Sequence, residues 1–229
     1  AEALAAGGQD QSAGEVLFAA VQALPHELRL NLALARWLRT QDRPSEAVQV
    51  AKSGLQAGSG PVEALIEFGE ASLEIGEWEP ALQALSQATE RQPGNWRARL
   101  GLARAYERGG DLIRAGEYAG GLPKAAPAEA YILAARITIL AAEAKGAPEQ
   151  VQAAVDHLRR AASKSPGNPN IELWTGRAHE VAGRHAKALE TYQGCLARFA
   201  SEDAESYGAA LLGIGRSAIA TGELSLALS

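Results

Sequence analysis

The chain has 229 residues, 47% hydrophobic and 21% charged, a soluble globular composition long enough for a large core. Its net charge of −5 and pI near 5.5 make it a poor candidate for non-specific nucleic-acid or anionic-membrane binding. No apolar run approaches the ~20 residues of a membrane span, and a single cysteine excludes an internal disulfide.

Taken in order, residues 1–27 read as the end of one helix, a turn at Gly7-Gly8, and a helix from about Gln11 to Ala23 that Pro25 stops. Residues 28–61 form a complete hairpin. Its first helix carries Leu30, Leu34, Ala35 and Leu38. Pro44 then opens a second helix with Ala47, Ala51 and Gly54. Residues 62–95 repeat this clearly, with Phe68-Gly69, a turn at Gly76, then Ala81, Leu85, Ala88 and an exit at Pro93.

Residues 96–126 start in the same register, but Gly120-Gly121, Pro123 and Pro127 cut the second helix short. The helix that follows, from about Pro127 to Lys145, is predicted to be longer than its siblings. Together these make 120–148 an irregular junction that should offset the stack and bend its curvature. The unit 127–168 continues with Ala154, Leu158 and Ala161. Residues 169–207 return to register with Thr175-Gly176, Gly183, Ala188, Tyr192 and Cys195. A partial unit, 208–229, carries Ile214-Gly215, Ala218, Gly222 and Ala227. No run of alternating β-branched residues signals a strand.

One alanine marks the period. Ala13, Ala47, Ala81 and Ala115 are spaced by 34 residues, and the series resumes at Ala154, Ala188 and Ala227. With the bulky-small pairs Leu34-Ala35, Phe68-Gly69, Leu102-Ala103, Thr175-Gly176 and Ile214-Gly215, and exit prolines Pro25, Pro93 and Pro166, the pattern resembles the tetratricopeptide repeat family over essentially the whole chain. It departs from the family at the first-helix tryptophan, where Asn31, Leu65, Arg99, Glu172 and Leu211 stand. The resemblance implies an all-α, right-handed superhelical solenoid: a single array over 1–229 with five complete hairpins. Each hairpin would bury its apolar face only by stacking. Ala81→Leu or Ala188→Leu is expected to overpack the stack at a cost of roughly 1–3 kcal/mol. The chain holds no methionine and neither end carries a polar capping helix, so it reads as a segment of a longer array with Leu224, Leu226 and Leu228 partly exposed.

Catalytic and cofactor motifs fare poorly. His179 and His185 lie six apart across a turn glycine, whereas a zinc-protease helix needs histidines at i and i+4. Gly213-Ile214-Gly215-Arg216-Ser217-Ala218 fits a dinucleotide fingerprint in letters but lacks the preceding strand. Cys195 occupies a small-residue packing position and reads as a buried spacer. No catalytic residue, metal site or cofactor is predicted.

The remaining constellation is charge on the first helices, which in tetratricopeptide solenoids line the concave groove. The residues expected there are Arg29, Arg36 and Arg39, then Glu63, Glu67, Glu70 and Glu74, then Arg97, Arg104 and Arg108, then Tyr131 and Thr138, then Arg177 and Glu180. Their sign alternates from repeat to repeat. Neighbouring helices could neutralise one another through exposed ion pairs, or the arginines could serve acidic groups of a partner. A family subset clamps a C-terminal carboxylate, but Leu32, Arg36, Glu67, Arg97 and Gly101 stand at the corresponding places, so chaperone-tail binding is not expected. The reading is a non-catalytic scaffold that binds a protein or peptide in its concave groove, with uncapped ends that also suit self-association. The alternative is a substrate-presenting segment of a larger enzyme, or of a bacterial envelope export assembly handling protein or exopolysaccharide. Both cytoplasm and periplasm are compatible with the composition.

Overall fold

In the computed structural model, every regular element among the described residues (10–53, 55, 60–196 and 204–223) is helical. The Gly7-Gly8 turn, Gly54, Gly58-Ser59, part of the stretch 200–207, and Leu224, Leu226, Ala227 and Leu228 lie outside the described residues. The chain divides into two compact units, 1–111 and 112–229.

The first unit holds α1 (Asp10–Ala23), α2 (Leu28–Thr40), α3 (Pro44–Ser53), α4 (Val62–Glu74), α5 (Trp78–Arg91) and α6 (Trp96–Arg108). Each helix packs on the next, and α2, α4 and α6 also touch in series. These three are the first helices of successive hairpins, and their alignment builds one continuous face. On α5 the residues at i, i+3, i+4 and i+7, namely Ala81, Ala84, Leu85 and Ala88, are buried. Leu85 is gripped from both sides. A Cβ on Gly69 of α4 would fall 2.5 Å from Leu85 Cγ, and one on Gly101 of α6 would fall 2.9 Å from its Cδ2. The glycines therefore make the notch that this leucine fills. Asn95 caps α6 by accepting from the backbone N–H groups of Arg97 at 3.1 Å and Ala98 at 3.3 Å.

The turns between paired helices need a left-handed residue. Gly76 and Gly110 supply it at φ 84° and 82°, and Asp42 takes the same place at φ 55°. Aspartate is one of the few side chains that tolerates this region.

The second unit holds α7 (Leu112–Tyr118), α8 (Ala128–Lys145), a 3₁₀ turn (Pro148–Gln150), α9 (Val151–Lys164), α10 (Pro169–Val181), α11 (His185–Leu196) and α12 (Ala204–Thr221). As the glycines and prolines predict, α7 has only 7 residues and α8 has 18. Leu122 and Ala126, in the segment between them, are buried. The α8 helix touches α7, α9 and α10, so apolar residues are buried around most of its circumference, from Ala130 and Tyr131 to Ile137, Ile139 and Ala142. The α8, α10 and α12 helices are the first helices here, and α10 touches both of the others.

Tyr192 of α11 repeats the part of Leu85. A Cβ on Gly176 of α10 would lie 2.7 Å from its ring, and one on Gly213 of α12 would lie 2.4 Å from it. The apparent dinucleotide glycine Gly213 thus sits within α12, making room for an aromatic ring.

Candidate functional site

In the first unit, α4 places Glu63, Glu67, Glu70 and Glu74 along one face, at i, i+4, i+7 and i+11. Arg36 and Arg39 reach them from α2, and Arg97 reaches them from α6. Glu67 accepts from Arg36 Nε at 2.6 Å, Arg39 Nη1 at 3.1 Å and Arg97 Nη2 at 2.9 Å. Glu70 accepts from Arg39 Nη1 at 2.6 Å and Arg97 Nη2 at 2.8 Å, and Glu74 from Arg39 Nη2 at 2.7 Å. The Glu67 side chain is fully enclosed while Arg36 is 46% exposed.

Burial is the largest single influence on Glu67 and opposes its charge. The hydrogen bonds and charges of Arg36 and Arg97 together outweigh it and hold the carboxyl below the usual carboxylate range. Arg39 and Arg97 likewise lose to burial but gain more from their glutamates, so both are held more firmly protonated than a free arginine. Three glutamates and three arginines close into a neutral cluster across three helices.

The other predicted groove residues are dispersed. Arg29, Glu63 and Arg108 are exposed and Arg104 is partly buried. Tyr131 is a core residue rather than a groove residue. It is fully buried and its hydroxyl donates to the Pro123 carbonyl at 2.8 Å. Its ring lies 5.9 Å from that of His157. The reason is the enclosure of α8, which covers positions that a half-exposed first helix would leave open.

In the second unit, Arg177 of α10 meets Glu143 of α8 at 2.6 Å and Glu180 of its own helix at 2.8 Å. Glu180 also accepts from Arg216 Nη2 of α12 at 3.1 Å and from the Tyr192 hydroxyl at 2.9 Å. Burial again opposes the charged Glu180, and bonds from Arg216 and Arg177 overcome it, so its carboxyl is held low. Burial, then the Glu180 charge, pushes the Tyr192 hydroxyl well above its ordinary value.

Glu143 and Arg216 are absent from the sequence-based list. Glu143 lies one 34-residue period before Arg177, which would have found it. In the sequence Arg216 stands within the apparent nucleotide fingerprint, which masks its place on the first-helix face. Beside this ion network, Leu140, Leu173, Trp174, Tyr192, Leu212 and the two arginines line a cleft of about 210 Å³.

Cys195 is buried, its Sγ donating to the Tyr192 carbonyl at 3.3 Å. Among the described residues, no three of His, Cys, Asp and Glu gather as a metal site would require. No helix among them is long and apolar enough to cross a membrane.

Two family models, both described as tetratricopeptide repeat, match residues 73–137 and 139–204, together more than half of the chain. The chain belongs to the tetratricopeptide repeat family. Its all-α fold is the family's helical-hairpin solenoid, a repeat architecture that generally serves as a protein-interaction scaffold. No curated protein matches it by sequence.

Among solved structures it is similar to a tetratricopeptide repeat protein from Parabacteroides merdae. The two are 15% identical with a TM-score of 0.63, over 100% of this chain and 96% of that one. It is also similar to a chain of the APC/C hetero-tetramer Cut9-Hcn1, 12% identical with a TM-score of 0.62 over 93% of this chain. This chain spans 40% of the length of that one. A thermophilic tetratricopeptide repeat protein from Thermus thermophilus is 21% identical with a TM-score of 0.56, over 81% of this chain and 99% of that one.

Proposed function

We propose that the chain is a non-catalytic scaffold that takes a protein or peptide segment on the face formed by its first helices. The observation that carries this reading is the way each unit fixes arginines there. Arg36 and Arg216 are each about half exposed, yet each is held by a largely or fully enclosed carboxylate, Glu67 and Glu180. A guanidinium oriented in advance loses less freedom when a partner arrives. Membership of a repeat family built for extended docking surfaces supports the same reading. So does the similar fold of a chain from the assembled Cut9-Hcn1 hetero-tetramer.

The test is site-specific photo-crosslinking in native extract. A benzophenone side chain is placed at Arg29, Glu63 or Arg108 on first helices, and at Gln83 or Glu90 on α5, all exposed positions. One partner crosslinking from the first-helix positions and not from α5 is the expected result. Crosslinks confined to α5 would move the binding face to the second helices and overturn the proposal.

A further inference from the structure

The two units differ at one register position. Two residues before the small residue of a first helix, the middle first helix of unit one, α4, carries Glu67, the enclosed centre of its ion cluster, while its neighbours α2 and α6 carry Ala33 and Gly101. The middle first helix of unit two, α10, carries Trp174 at the equivalent place, and its neighbours α8 and α12 carry Leu140 and Gly213. At its middle helix the first face is therefore ionic, while the second is apolar there. Leu140 of α8, Leu173 and Trp174 of α10 and Leu212 of α12 wall the 210 Å³ cleft. Leu212 is 66% exposed. That volume is below the roughly 300–1,000 Å³ typical of sites for whole small molecules, and suits one inserted side chain.

Of the residues that line the cleft, the charged ones are Arg177 and Arg216. Arg216 spends Nε and Nη2 on Glu180, but a guanidinium carries five N–H donors. Glu180, the counter-charge, is only 9% exposed, whereas Arg216 is 48% exposed. Arg177 is neutralised by Glu143, which is exposed but does not line the cleft, so the cationic part of the solvent-facing rim is Arg216.

Resting on the scaffold reading above, we infer that this cleft is the anchor site of the second unit. It takes an apolar side chain of a partner peptide that carries an aspartate or glutamate next to it. The side chain displaces water from Leu140, Trp174 and Leu212, and the carboxylate bonds to Arg216. A central apolar anchor beside a charge-assisted contact concentrates binding energy in few residues.

Selection of a random displayed peptide library against the whole chain tests this. Recovered peptides should share a Leu, Ile, Phe or Met within two positions of an Asp or Glu. A synthetic peptide from that set should shift the ¹⁵N-indole resonance of Trp174 and leave those of Trp37, Trp78 and Trp96 in place. Leu212→Asp should weaken it about tenfold or more, while Arg216→Gln should abolish the preference for the acidic peptide over its amide analogue. Circular dichroism checks that both variants stay helical. Peptides that bind but ignore Leu212→Asp, or that lack the acidic residue, would overturn the cleft assignment while leaving a peptide-binding scaffold intact. A chain that recovers no peptide would overturn the cleft assignment, while the scaffold reading stands or falls on the crosslinking result.

Discussion

Glu67 and Arg97 lie 2.9 Å apart on neighbouring first helices, the carboxylate fully enclosed and the guanidinium one-third exposed. The pair is asymmetric in consequence. Removing Arg97 leaves Glu67 with Arg36 and Arg39, but removing Glu67 leaves Arg36 without its carboxylate and Arg39 and Arg97 dependent on Glu70 and Glu74. Leaving a buried charge uncompensated costs about 3–5 kcal/mol, and the loss of Glu67 falls below that because the arginines left behind are partly exposed and two of them keep Glu70. Glu67→Ala is expected to cost about 1–3 kcal/mol by urea unfolding, Glu67→Gln to cost less because its amide oxygen still accepts, and Arg97→Gln to cost less than Glu67→Ala. Equal losses for Glu67→Ala and Arg97→Gln would contradict this ranking.

Acid should find the same carboxylates. Glu67 and Glu180 are both held below their ordinary value of 4.5 in the folded chain. A depressed carboxyl contributes stability that is fully present above the unfolded value and is lost as pH falls through the folded one. Unfolding midpoints should therefore hold at neutral pH and drop below about pH 4.5. The profile of Glu67→Gln should be lower at neutral pH and flatter in that acid window.

Tyr192 and Gly213 offer a packing test. A methyl group on Gly213 would meet the Tyr192 ring at 2.4 Å, and that ring is clamped on its other side by Gly176. Gly213→Ala should cost roughly 1–3 kcal/mol by overpacking, despite the better helix propensity of alanine. In a Tyr192→Leu background, with the smaller residue that Leu85 presents at the equivalent site, the same substitution should cost less. A double-mutant cycle of thermal or urea unfolding reads the difference.

These residues also mark where the chain could be read directly and where it could not. The recurring alanines Ala13, Ala47, Ala81, Ala115, Ala154 and Ala188 are all fully buried, because close helix packing and a fixed period leave the same imprint in every hairpin. The short α7 and long α8 followed from glycine and proline chemistry alone. By contrast, Glu63, Glu67, Glu70 and Glu74 look alike as a stripe. Only Glu67 is wholly enclosed, because the arginines that cover it lie about one repeat away on either side. The burial of Tyr131 is hidden in the sequence for a similar reason: it comes from the neighbours of α8, not from its own helix pattern. Leu140 and Trp174 become informative once aligned with Glu67 by register, since the comparison, not the residue type, shows the face changing character.

The turn at Asp42 gives a final test. Its φ of 55° matches a position that Gly76 and Gly110 occupy in the next two hairpins. A non-glycine residue in the left-handed region carries a cost of roughly 1–2 kcal/mol, partly offset for aspartate by local hydrogen bonding. Glycine removes that strain but adds freedom to the unfolded chain. Asp42→Gly should therefore change stability by less than about 1 kcal/mol, with a slight gain expected, whereas Asp42→Val should destabilise by more than that because a β-branched residue resists positive φ. Circular dichroism melts of the two variants decide the matter: a loss for Asp42→Gly as large as that for Asp42→Val would mean that the aspartate side chain, not the backbone conformation, holds the α2–α3 turn.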